Sequence, residues 1–467
     1  MSRTAQHLVR ELRSRERAQR GDRAPMRGFG IHTIREFNRL LVLNSVLDFG
    51  PIARVAIAQR TGLSRTTVSS IVDALIAEGF IREGSMLSAA PSGGRRAIEL
   101  HFNAEAGCVI GIAMGRTHLS FLATNLAADI FARSLIPFST VEGPDASLPV
   151  LVARLREFVE SAGIDWKRVI GIGVGVPSPL DAQLEMLVSP PRMPGWSGVN
   201  IRHWLQRELN VPIYLDNDAN MGALGECRYG AGRNIPDLAY INIGSGIGGG
   251  LVLNGHVYRG ASGSAGEIGH VTLDEEGPVC DCGNIGCLEA LAGTRAIIDD
   301  ARTGRSLAHI AALRGEDTAA LPAPALRDME GAEFDDVTAA ARSGDQAAYS
   351  ALQHAGERIG IAVATLINLF NPSVVLVDGR YTSAGELLLE PLRRTAAERS
   401  LPVAWARTRI QLGALAQDAI GLGAVAAVLD AAFRPPAVAA ALSRYQSAVP
   451  SSASDGLLMT TGPASTS

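Results

Sequence analysis

The sequence predicts an α/β protein, a two-lobed body preceded by a small winged helix-turn-helix domain. Three observations predict it. Apolar β-runs alternate with helical patterns from about residue 108 to 436. Within that stretch an opening of strand followed by glycine turn occurs twice. Ahead of it, the segment RVAIAQRTGLSRTTVSSIVDALIAEGFI carries helix-turn-helix spacing.

In chain order, residues 1–28 hold eight Arg and few large apolar side chains, and read as a flexible basic arm. Residues 29–102 form the winged domain, residues 105–436 the body, and residues 437–467, rich in Ser, Ala, Thr and Pro, a disordered tail. The body opens with CVIGIAM, a turn at Gly115, then LSFLAT and DIFARSLIPF. Its second half opens with LAYINIG, the glycine run Gly244–Gly250, then LVL and HVY around Asn254-Gly255. Asn-Gly between two β-runs signals a hairpin, because a type I′ turn needs φ > 0 twice.

The chain has 467 residues, 47% hydrophobic and 19% charged, an ordinary globular profile that excludes a collagenous or wholly disordered protein. Its net charge of −4 conceals a split. Residues 1–100 hold 16 Arg, no Lys and nine acids, a formal +7, which leaves −11 for the rest. That asymmetry suits a nucleic-acid-facing segment joined to an acidic body. No apolar run is expected to reach the ~18 residues of a membrane span, and the Arg-rich N-terminus lacks the apolar core of a secretory signal. A cytoplasmic location and no membrane partner are the expectation.

In the helix-turn-helix segment, Ala58 supplies a small residue where helices cross, Gly62 the turn and Val68 an apolar anchor. Ile57, Leu63, Val68 and Ile71 fall on the buried side. Ser64 suits the N-cap of the second helix. Ser64, Arg65, Thr66, Ser69 and Ser70 are then left to meet base edges and phosphates. A plain three-helix bundle would share this spacing. Against it, a hairpin-like stretch follows Gly79-Phe80-Ile81 and ends in Gly93-Gly94-Arg95-Arg96, where paired arginines suit a wing touching phosphates.

Gly269-His270 precedes Cys280-Asp281-Cys282-Gly283-Asn284-Ile285-Gly286-Cys287. Three thiolates and one imidazole match a closed Cys3His zinc site at His270, Cys280, Cys282 and Cys287. Four protein ligands leave no position for an activated water, so the Zn2+ is expected to be structural. In VPIYLDNDAN a β-run ends directly in polar residues, placing Asn217 and Asp218 at a strand's carboxyl end, where α/β folds bind ligands. A carboxylate there is able to accept a hydroxyl proton. Glu267 lies three residues before His270 and Glu289 two after Cys287, so the metal loop brings two more acids. The glycine run Gly244–Gly250 is able to present backbone N–H groups to a phosphate, as a tight hairpin also would.

Together these motifs resemble the ROK family of sugar kinases and sugar-responsive repressors, over roughly residues 30–435. INIGSGIGGGLVLNGHVYRGASGSAGEIGH and CDCGNIGCLE carry the likeness most specifically. The resemblance implies an actin/hexokinase-like (ribonuclease H-like) body, and the winged domain looks like the repressor branch. By position it implies that Asn217, Asp218, Glu267, His270 and Glu289 hold sugar hydroxyls, with Asp218 at the place of the kinase base. It also implies a homodimer or homotetramer on an inverted-repeat operator.

The departures point away from catalysis. The family's kinases carry Asp-x-Gly-Gly-Thr after the first strand. Here the stretch is Ala113-Met114-Gly115-Arg116-Thr117, so the acid is lost and an arginine crowds the phosphates. An acid, Asp378, opens Asp378-Gly379-Arg380, where kinases place Gly-Gly, and Arg192 departs from the Asn-Leu-Pro-Gly-Trp sugar segment. The expectation is a repressor of carbohydrate genes whose DNA affinity answers to a sugar or sugar phosphate, and not an enzyme. The alternative is an ATP-dependent glucokinase or N-acetylhexosamine kinase with an added DNA-binding domain.

Overall fold

The computed structural model describes residues 31–86, 97–181, 183–188, 190, 193–244, 246–303, 333–435 and 438. The expected arm, Arg95, Arg96, Arg192 and nearly all of the expected tail lie outside these residues. The chain forms two compact units. One comprises residues up to Ala106 together with those from Leu429 onward; the other is Gly107–Val428.

In the first unit, α1 (Ile31–Phe49) is followed by β1 (Ile52–Ala53), α2 (Arg54–Thr61), α3 (Arg65–Ala77), β2 (Ile81–Met86) and β3 (Ile98–Phe102). The turn between α2 and α3 has the expected chemistry. Gly62 is left-handed at φ 69° and its N–H returns to the Ala58 carbonyl at 3.0 Å. Ser64 caps α3 by accepting from the Thr67 N–H at 3.1 Å. Ile57, Val68, Val72 and Leu75 are fully buried. Leu63 and Ile71, expected inside, are only half-buried, because α3 turns the Val68–Val72–Leu75 stripe inward. The three strands make an antiparallel sheet in the order β1-β3-β2, the wing of this helix-turn-helix. The last turn of the C-terminal helix belongs to this unit, with the Phe433 ring edge-on to Phe80 and Phe102.

The body contains two five-stranded mixed sheets, as the doubled opening predicts. In the first, β4 (Cys108–Met114), β5 (His118–Asn125) and β6 (Ile130–Pro137) run antiparallel. There α4 (Pro144–Ser161) leads to β7 (Val169–Val176), and α5 (Ile201–Leu209) to β8 (Ile213–Asn217), in the order β6-β5-β4-β7-β8. Helix α6 (Asp218–Tyr229) leads to the second sheet. This is built from β9 (Leu238–Ile243), β10 (Ile247–Leu253) and β11 (His256–Val257). After α7 (Leu288–Ala292), α8 (Thr294–Thr303), α9 (Phe334–Arg342) and α10 (Gln346–Phe370) it adds β12 (Val374–Gly379). After α11 (Glu386–Arg399) and α12 (Pro402–Trp405) comes β13 (Arg409–Leu412), giving β11-β10-β9-β12-β13. Asn254 and Gly255 both have positive φ, 52° and 77°, as the hairpin signal requires.

Strand β7 explains how a helix comes close to the first sheet. In VIGIGVGV every second residue is glycine, and period-two alternation puts Gly171, Gly173 and Gly175 on one face. A Cβ at these positions would strike Val428, the Ala424 backbone and Ile420 of α13 (Ala419–Phe433). On the opposite face Ile172, Val174 and Val176 fill the lobe core. Helices α6 and α13 also cross without side chains between them, Gly225 against Ala419 and Gly423 against Met221. Sequence reading put no membrane-length segment here. Ala416–Phe433 does reach 18 apolar-rich residues, but 61% of that window is buried, as befits a core helix.

Candidate functional site

Asn217 ends β8 and caps α6. Its side-chain oxygen accepts from Ala219 N–H at 2.9 Å and Asn220 N–H at 3.2 Å, while its amide donates to the Ser178 carbonyl at 3.3 Å. The side chain expected to hold a ligand thus also positions the helix start. Asp218 follows in the first turn, its Oδ1 accepting from Ala219 N–H at 2.8 Å. Burial pushes its carboxyl up to about 6 against the two backbone hydrogen bonds it accepts, and the charge on Glu289 adds to the rise.

Glu267 and Glu289 come to the same place from different elements. Glu289, in the first turn of α7, accepts from the Ile247 N–H at 2.9 Å and so ties α7 to the start of β10. Glu267 is pushed up to about 7 by burial first, then by the charges of Asp218 and Glu289. Asp218, Glu267 and Glu289, brought together across a half-buried hollow, form an acceptor-rich lining for neutral hydroxyl donors. Among the described residues this is where the acids predicted from sequence converge.

His270 joins that hollow to the metal-type cluster. Its Nε2 lies 3.9 Å from Glu267 Oε2, and its Nδ1 lies 3.7 Å from Cys280 Sγ. Cys282 and Cys287 stand 3.7 Å apart through their sulfurs, and all four donor atoms lie within 4.8 Å of one another. A tetrahedron with ~2.3 Å metal–sulfur bonds has edges of ~3.7 Å, so the donor set fits one cation. Burial and the neighbouring sulfurs push the Cys287 thiol up to about 12, a proton that a divalent cation would displace. The loop closes through the Cys280 N–H to Asn284 carbonyl bond of 2.8 Å. Gly286 is indispensable there, since φ is 65° and a Cβ would collide with the Asp274 carbonyl.

The second half of the glycine run belongs to a strand. Gly248, Gly249 and Gly250 lie within β10, where a Cβ would press on Ala219 or Gly266. They serve close packing of α6 and the Glu267 segment. Ala113 is buried near the end of β4. Asp378, 1% exposed at the end of β12, takes the Tyr240 hydroxyl proton bond at 3.1 Å and the Gly379 N–H at 2.7 Å. Desolvation pushes its carboxyl up to about 6, with the nearby Glu226 charge adding to the rise.

On α3, Ser64, Arg65, Thr66 and Ser70 are exposed and Ser69 is half-buried. Ser64 bonds the Thr66 hydroxyl at 2.8 Å, in addition to its capping contact. Arg65 therefore supplies the cationic group at the helix start. Sequence reading singled out neither Asp216 nor Arg259. They form an ion pair at 2.7 Å.

The ROK family model matches residues 109–431, and a winged helix-turn-helix DNA-binding model matches residues 38–82. The xylose repressor of Caldicellulosiruptor bescii is 32% identical over 407 residues, covering 86% of this chain and 98% of the relative. A crystal structure of a ROK family transcriptional regulator, homologous to the E. coli MLC protein, superposes with a TM-score of 0.70 at 28% identity. It covers 86% of this chain and 97% of that one. A ROK glucokinase from Streptomyces griseus, solved with glucose and AMPPNP, matches with a TM-score of 0.58 at 27% identity, over 68% of this chain and 98% of that one.

Proposed function

This chain belongs to the ROK family, with a winged helix-turn-helix ahead of a hexokinase-like α/β body, and we propose that it is a sugar-responsive transcriptional repressor. One observation carries the reading. A recognition helix with an exposed Arg65 shares a chain with a convergent Asp218–Glu267–Glu289–His270 hollow. Buried Ala113, at the place where the family resemblance implies a phosphate-side acid, supports it.

In this reading a sugar binds the acidic hollow and lowers affinity for double-stranded operator DNA. Asp218, Glu267, Glu289 and His270 accept or share its hydroxyl protons, and Asn217 holds the start of α6 in place. The relative named for xylose makes a pentose the first candidate. Zinc at His270, Cys280, Cys282 and Cys287 fixes the ring whose other face meets Glu267. Recognition of an inverted-repeat operator calls for a homodimer or homotetramer in the cytoplasm. Arg95 and Arg96 would add phosphate contacts at the wing.

Phosphoryl transfer depends on placing metal-bound phosphates, which Ala113, Arg116 and Asp378 oppose. A kinase reading keeps one point in its favour, the Asp218 carboxyl raised to about 6, suited to accept a hydroxyl proton. A coupled ADP-release assay over pentoses, hexoses and amino sugars separates the two. Turnover at ~1–100 s⁻¹ would establish the kinase, and its absence alongside sugar-dependent DNA release would establish the repressor.

A further inference from the structure

Asp216 precedes the capping residue by one position and is 3% exposed. Its Oδ1 accepts from the Asn217 N–H at 2.8 Å and the Asn220 side-chain amide at 3.0 Å. Its Oδ2 accepts from Arg259 Nε at 2.9 Å, with Arg259 Nη2 at 2.7 Å. The guanidinium thus converges on one carboxylate oxygen while the other holds the strand end, and a charge-assisted bond of this kind is stronger than a neutral one.

Arg259 also acts through its backbone. Its carbonyl accepts from the Ala265 N–H at 3.1 Å and closes the loop that leads to Glu267. The loop is pressed inward at Gly263, where a Cβ would strike the Leu180 and Asp181 carbonyls, and at Gly266, against Gly249. One residue therefore grips both walls of the hollow. Its side chain holds the strand two positions before Asp218, and its carbonyl holds the loop two positions before Glu267.

We propose that Arg259, locked to Asp216, is a positioning residue that sets the separation of Asp218 and Glu267 and thereby the affinity and choice of effector. The inference rests on the sugar-binding reading of the hollow, and its central prediction is about the loop itself. Arg259→Lys keeps the charge but loses the planar guanidinium and its Nε–H bond, so it restores only part of what Arg259→Ala removes.

The test is hydrogen exchange of the full-length protein without ligand, followed by titration of D-xylose and D-glucose by calorimetry. Arg259→Ala and Asp216→Asn are expected to speed amide exchange across 260–267 roughly tenfold or more, with wild-type zinc content, and Lys to give an intermediate rate. The affinity for whichever sugar the wild type binds should fall roughly tenfold or more in the Ala and Asn variants, again with Lys between. Unchanged exchange in both of those variants overturns the latch, whatever ligand the hollow takes. A wild type that binds neither sugar refutes those two effectors and leaves exchange to decide the latch.

Discussion

The side-chain amide of Asn44 on α1 donates to the backbone carbonyl of Phe433 at 2.7 Å, across 389 positions of sequence. The same amide donates to Leu40 O at 2.8 Å, and Asn44 Oδ1 accepts from Arg434 Nε at 3.2 Å. The Arg434 guanidinium also pairs with Asp48. Phe433 and Arg434 thus pack as part of the unit that holds the winged domain. Phe433→Ala should remove ~3–5 kcal/mol from that unit, because a fully packed ring leaves a cavity between Phe80 and Phe102. Amide exchange of α3 would rise with it, while sugar binding by the body stays at wild-type strength.

Arg65→Ala should weaken binding to operator-length duplex and lower the slope of log affinity against log salt by about one phosphate contact, ~0.9. Fluorescence anisotropy over a range of salt concentrations measures both. A slope that stays at the wild-type value would place Arg65 away from the phosphates.

Cys282→Ser removes one of four donor atoms that lie within 4.8 Å of one another. Zinc content by mass spectrometry should fall from about one per chain, and the melting temperature with it, since metal binding to a folded site adds directly to stability. Because His270 also faces Glu267, the variant should lose sugar affinity as well. Full zinc occupancy in Cys282→Ser would contradict the ligand set.

Asp378 titrates at about 6 in the fold against an ordinary 3.8. A carboxyl that holds its proton more tightly when folded favours the fold fully below about 4, and that contribution disappears as pH rises through about 6. Asp378→Asn keeps an acceptor for the Gly379 N–H without the charge. It should therefore gain stability relative to wild type between pH 4 and pH 7, by at most about 3 kcal/mol. Thermal melts at the two pH values check the sign.

Much of the fold and part of the site were legible in the sequence, for local reasons. Ala58, Gly62, Ser64 and Val68 fall within ten positions of one another, and the His270–Cys287 stretch closes over a short loop, so spacing alone brings the donors together. The residues that escaped notice act at long range. Nothing near Asp216 indicates Arg259, 43 positions on, and nothing near Asn44 indicates Phe433. Asn217 was read by residue type, which left open that its oxygen would be taken by the helix start. The glycine run was ambiguous for a similar reason. Glycine serves equally to expose N–H groups and to let backbones touch, and Gly250, packed against Ala219, does the second.

The most direct test is the affinity of full-length protein for a duplex selected in vitro from random sequence, measured by anisotropy with and without D-xylose or another sugar that stabilises it. The account predicts that the sugar weakens binding about 5–150-fold in the wild type, a coupling of ~1–3 kcal/mol. Asp218→Ala should keep wild-type DNA affinity without sugar and lose the response. DNA affinity indifferent to every sugar that binds, or a full response in Asp218→Ala, would contradict it.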